Sequence, residues 1–277
     1  MNRMALLRTT ALLGLLTGIL LAIGFFFAGI GGMTIALVFA LFMNFIMYWY
    51  SDKIVLSMYR AKPTDNKKLH SMIERLAKEA NTPKPKLYVL PQKVPNAFAT
   101  GRSPKHSAIA VTEGLLDNLE DDEIEGVLSH ELAHIKNRDT LVSTLAATIG
   151  GAISFLAQMA WWSMFSKDRR GGNAFLFPLI IFAPFAAMLV QLAISRGREF
   201  HADYTGAYIS KKPLALASAL ERISNIADRY PIQGNSATSH LWIVNPFRGN
   251  SFVKLFMTHP PVSERVKKLK DAAIEMR

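Results

Sequence analysis

The sequence predicts an α-helical membrane protein with an α+β domain, four transmembrane helices and a small β-sheet. Four long apolar runs without charge are interleaved with two polar segments of mixed charge. Short strand-like stretches, bounded by proline and glycine, fall in the first polar segment. In the same segment His130-Glu131-Leu132-Ala133-His134 has the His-Glu-x-x-His pattern of a metal-binding helix. Of the 277 residues 50% are hydrophobic and 19% charged, and the apolar ones are clustered, which excludes an ordinary soluble domain. Cysteine is absent, so neither a disulfide framework nor thiolate-bound zinc is possible. The net charge of +11 comes from lysines and arginines scattered among acids. That pattern suits anionic lipid headgroups and membrane topology, not nucleic acid.

Residues 1–50 are expected to form a transmembrane hairpin. Its first span, about 9–29, follows Arg3 and Arg8 and is longer than the apolar core of a signal peptide. Gly29-Ile30-Gly31-Gly32 favours a turn. The second span, about 33–50, closes on Tyr48, Trp49 and Tyr50, which suit a membrane interface. Gly14 and Gly18 have the spacing of a close-packing helix face. Lys53, Arg60, Lys62, Lys67 and Lys68 follow, so the positive-inside rule puts both flanks in the cytoplasm.

Residues 51–139 make the first part of the polar domain. Leu69, Met72, Ile73, Leu76 and Ala77 recur at helical spacing over 66–80, and Pro83 and Pro85 end that helix. Strands are expected over 86–90, 96–100 and 106–112, the last two joined by 101–105. A short helix over 113–119 precedes the metal-site helix, 120–136, whose Asp121 and Asp122 complement its N-terminal dipole. Residues 140–195 read as a second hairpin, with spans of about 141–164 and 174–195. Pro178 and Pro184 are tolerated there because neighbouring helices re-satisfy freed carbonyls. Its loop carries Lys167, Arg169 and Arg170, against the charge bias. Either the first hairpin sets the orientation or the second dips without crossing; full crossing is the expectation. Residues 196–277 complete the domain with helices over 199–209, 213–227 and 261–276 and an apolar patch, Leu241-Trp242-Ile243-Val244.

Four residues apart on a helix, the imidazoles of His130 and His134 reach one ion, while Glu131 leans towards its water. The ion acidifies that water and the carboxylate takes the proton. A third ligand is still needed. Two crossings return the chain to its starting side, so 199 shares a compartment with 130. Glu199 and Asp203, one turn apart, fit as ligand and as the hydrogen-bond partner that orients a ligand histidine. His201 and His259 are rival ligands; His70, His106 and His240 lack partner spacing.

Asn96-Ala97-Phe98-Ala99-Thr100-Gly101, the His-Glu-x-x-His pentad, Arg198-Glu199-Phe200-His201-Ala202-Asp203 and His259-Pro260-Pro261 together resemble the HtpX family of membrane zinc proteases. These are relatives of the CAAX prenyl endopeptidases, and the likeness covers nearly the whole chain. It implies a zincin-like protease domain with one zinc ion held by His130, His134 and Glu199, and Glu131 as general base. It further implies a multi-pass protein of the bacterial inner membrane with its active site facing the cytoplasm. Misfolded membrane proteins under stress, and the protein itself, are the substrates it implies. By the same resemblance Asn96 and His259 are candidates for stabilising the oxyanion, and Arg265 for orienting that region or binding substrate. Ala97, Phe98 and Ala99 lie in an expected edge strand that an extended substrate could extend. A membrane scaffold with a vestigial metal site is the alternative from another class, and the intact Glu131 argues against it. Intramembrane cleavage is disfavoured because Glu120, Asp121, Asp122, Glu123 and Glu125 surround the pentad.

Overall fold

The structure, a computed structural model, describes residues 3–145, 196–230, 241–244 and 259–276. The spans expected at 141–164 and 174–195 therefore lie outside the described residues, apart from a helical run over 140–145.

Helix α1 (Arg3–Met58) is two limbs joined at Ala28 and Gly29, where the backbone leaves the helical region and Gly29 takes φ 59°. The limbs fold back on each other: the Asn44 amide donates to Thr17 Oγ1 at 2.9 Å, across 27 residues. The expected first hairpin thus forms, but its close packing falls elsewhere than expected. A methyl group on Gly24 would stand 2.5 Å from the Gly32 carbonyl oxygen, whereas nothing described lies within 4 Å of one on Gly14 or Gly18. Gly24 and Gly32, beside the turn, let the two backbones approach closely. Among the described residues one helix, Ala28–Met58 with mean hydropathy 2.1, is long and apolar enough to cross a membrane.

That limb does not stop at Tyr50 but runs on to Met58. Val55 and Leu56 are buried in its last turns, against a four-stranded sheet. The sheet comprises β1 (Lys62–Pro63), β2 (Lys86–Leu90), β3 (Ala97–Ser103) and β4 (His106–Thr112), in the order β1-β2-β4-β3. β2 and β4 are parallel, and β3 is antiparallel to β4 at the edge. β3 continues three residues past the expected end, through an irregularity in register between Gly101 and Ser103.

Alternation along the strands sorts the core. Ala97, Ala99, Ile109, Val111 and Leu87 face the helices, whereas Phe98, Ala108, Ala110 and Leu90 face the end of α1 and Trp242. The helical layer contains α2 (Lys67–Glu79), α3 (Glu113–Asn118), α4 (Asp121–Asn137), α5 (Arg196–Ser210), α6 (Pro213–Arg229) and α7 (Val262–Glu275). Asn66 caps α2 through the amides of Lys68 and Leu69, and reciprocal Glu120 and Glu123 bonds cap α4. α4 is buried along most of its length between the sheet, α2, α5 and α6. A helix this enclosed can hold catalytic side chains in fixed directions.

Candidate active site

α4 presents His130 and His134 towards α5, and α5 returns Glu199. The two Nε2 atoms are 3.2 Å apart; Glu199 Oε1 is 3.5 Å from that of His134 and Oε2 is 3.9 Å from that of His130. One ligand atom from each of the three thus lies within 4.8 Å of the others. Nothing in the packing requires two imidazole nitrogens and a carboxylate to converge, so their shared partner is best supplied by a cation. α5 reaches α4 because Gly206 lacks a side chain: a methyl group there would stand 2.9 Å from the Cα of His130.

Around this cluster the outer nitrogens are also engaged. His130 Nδ1 lies 2.9 Å from Asp203 Oδ1, as the one-turn spacing of Glu199 and Asp203 suggested. His134 Nδ1 lies 3.2 Å from Asp139 Oδ2. Each carboxylate fixes the tautomer that leaves Nε2 free for a metal. Asp139 is a further functional residue that the spacing of the metal-binding pattern does not single out. Arg138 adopts the left-handed conformation (φ 63°) at the end of α4, and the Asp139 amide then donates to the His134 carbonyl at 2.9 Å. That tight reversal swings Asp139 back under the imidazole. A short acid just past a helix ending in a ligand histidine was the available signal.

Burial and charge divide the protonation states. Burial pushes His130 down to about 4 against the pull of Asp203, so it is neutral. Burial also disfavours charge on His134, but Glu199 and Asp139 outweigh it and raise its pKa to about 9. Glu199 is driven well below the usual carboxylate range: burial opposes this, and His259 and His134 prevail. Glu131 is raised by burial to about 7, with the nearby backbone amide of Ala99 on β3 pulling weakly the other way. A carboxylate poised there can take and return a proton near neutral pH.

The remaining expected residues fall in four places. His259 stands on the cavity wall with Nδ1 3.0 Å from Glu199 Oε2. His201 projects outwards from α5 and is no ligand. Arg265, a candidate for orienting that region or binding substrate, is fully buried behind the cluster. It grips Asp203 with Nε at 2.8 Å and Nη2 at 2.7 Å, and donates from Nη1 to the Ile243 carbonyl at 2.7 Å. A charge so buried needs its carboxylate partner, which explains why it points inwards. Asn96, expected to face the oxyanion, has its amide committed to Val244: Nδ2 donates to the carbonyl at 2.7 Å, and Oδ1 accepts from the amide at 3.4 Å.

Residues 63–273 match the model of peptidase family M48. The chain belongs to this family. It is a metalloprotease acting on polypeptides. The protease HtpX homologue of Pyrococcus furiosus is 54% identical over 97% of this chain and 96% of that protein. That of Aquifex aeolicus is 50% identical over 94% and 90%. Among solved structures, Ste24p of S. mikatae matches with a TM-score of 0.51 at 20% identity, over 95% of this chain. The present chain spans 64% of that longer one, and the likeness shows the M48 fold.

Proposed function

We propose that this M48 protease is a zinc-dependent endopeptidase of the inner membrane that cuts misfolded or damaged membrane proteins at the cytoplasmic face. The observation that carries the reading is Glu131, intact and buried beside the His130, His134 and Glu199 cluster, at the edge strand of the sheet. Two histidines and a carboxylate with no cysteine suit one zinc ion per chain. When bound, the ion supplies the Lewis acidity that acidifies water and polarises a carbonyl.

The chain's own residues do the rest. Asp203 and Asp139 face the Nδ1 atoms of the ligand imidazoles and orient the rings so that each Nε2 points into the cluster. Glu131 takes the proton of the attacking water and passes it to the leaving amine. His259, on the cavity wall, is the side-chain donor we assign to the oxyanion. The β3 edge carries the extended substrate through main-chain bonds, which gives affinity with little sequence preference. A long apolar limb that carries Trp49 and Tyr50 two turns before its end supports the membrane setting, and the basic residues that follow them support a cytoplasmic site. Self-cleavage belongs to the same reading.

Glu131→Ala tests it. The variant keeps its metal, by elemental analysis, and loses about 10²–10⁴-fold in cleavage of an unfolded polypeptide and of itself. Undiminished cleavage overturns the mechanism.

A further inference from the structure

The groups that an incoming polypeptide would use are already engaged by the chain itself. On the free edge of β3, the Ala97 carbonyl accepts from the Ile243 N–H at 3.1 Å. The Asn96 amide meets both main-chain groups of Val244, donating to its carbonyl and accepting from its N–H. Arg265 donates to the Ile243 carbonyl. Four bonds therefore converge on two consecutive residues, and all four are to backbone. A seat made this way reads an extended main chain and no particular side chain. It adjoins the catalytic cavity, since Ile243 and Trp242 line that cavity together with Glu131 and His134.

We infer that Ile243–Val244 occupy the substrate's place on β3, so that the resting protease is blocked by its own chain. This rests on the endopeptidase reading above. Trp242 is the pivot: its ring stacks edge-on against Tyr59 and Phe98, with centroids 4.9 and 5.3 Å away, and its Nε1 donates to the Tyr59 hydroxyl at 3.2 Å. That aromatic cluster keeps the segment attached while the two residues beyond it leave. An unfolded polypeptide with a longer extended stretch offers the seat the same bonds and continues past Ala99, towards Glu131. Substrate must therefore compete with a tethered rival, which restrains cleavage of ordinary neighbours in the membrane.

The absence of cysteine makes a clean test possible. The zinc-loaded full chain, carrying Ala97→Cys and Ile243→Cys, is assayed on β-casein, an unfolded polypeptide, before and after oxidation. Closing the disulfide should abolish cleavage, and reductant should restore it. Equal cleavage in both states, with the bridge confirmed by mass, overturns the inference. A second arm needs no turnover: Val244→Cys in a Glu131→Gln background is labelled with a maleimide. Saturating β-casein, with its binding verified by anisotropy, should raise the labelling rate several-fold; an unchanged rate overturns the inference. Failure of the endopeptidase reading is distinguishable, because the wild-type zinc-loaded chain would then not cleave β-casein at all.

Discussion

Glu131 and His134 carry charge states set by their enclosure, and both can be titrated. Burial raises the Glu131 carboxyl to about 7, so its basic form fills as pH rises through that value. Cleavage measured as kcat/KM should therefore increase from about pH 5.5 to 8, and a bound cation should move the inflection downwards. A flat profile would show that Glu131 is not the base. His134 is raised to about 9, above its ordinary 6.5, because Glu199 and Asp139 outweigh its burial. In the metal-free protein this stabilises the fold below pH 6.5, and the stabilisation is lost as pH rises through about 9. Zinc has to displace that proton, so calorimetry in buffers of different ionisation enthalpy should find about one proton released per ion near pH 7. Asp139→Asn and Asp203→Asn should each weaken zinc binding about 10–100-fold, by competition with a chelator. Equal affinity in the Asp139 variant would reduce that residue to a simple turn.

Helices α4 and α5 make a metal site because they approach closely, and Gly206 sets that approach. Gly206→Ala would put a methyl group 2.9 Å from the His130 backbone. We expect a loss of about 1–3 kcal/mol in stability, with weaker zinc binding, as α5 is pushed away and takes Glu199 with it. Thermal unfolding with and without zinc checks both. Most elements were legible in the sequence for local reasons. β2 and β4 begin and end where the strand patterns do, because the short run of β2 is bounded by prolines and β4 is an apolar run buried from Ser107 to Thr112. β1 was not legible: two residues, one of them proline, form a strand only because Val89 and Tyr88 pair with them. β3 looked shorter than it is because Gly101 signals a turn in isolation, yet here it lies within a strand held by β4. The ligand trio could be read from helical spacing. The inward turn of Arg265 and the commitment of Asn96 could not, since each depends on a partner far away in sequence.

At the scale of the molecule, the apolar helical hairpin of α1 and the sheet pack together. The apolar limb of α1 carries Val55 and Leu56 into the core face that holds Phe98 and Trp242. At the edge of the same sheet, the Thr144 hydroxyl bonds to Thr100 Oγ1 at 3.0 Å and to the Gly101 amide at 3.4 Å. The run that leads out of the first polar segment is thus tied to β3 beside the active site. Deleting residues 141–195 should therefore abolish stoichiometric zinc binding, measured by elemental analysis of the purified protein. Full zinc occupancy in that deletion would show that the polar halves assemble unaided. The division into a hairpin and a polar domain was legible from hydropathy. Their fusion was not, because nothing in composition shows that a membrane helix continues unbroken as a core element.

The order of the site along the chain has a consequence in time. His130 and His134 leave the ribosome first, Glu199 well after them, and His259 and Arg265 later still. At roughly 5–20 residues per second, the nascent chain spends on the order of ten seconds with a half-built cluster. Throughout that interval the pentad can meet the translocation machinery and unfolded neighbours, but the third ligand and the Arg265 brace for Asp203 do not yet exist. A protease whose brace for the metal site is made so long after the first two ligands is silent until Arg265 has joined Asp203.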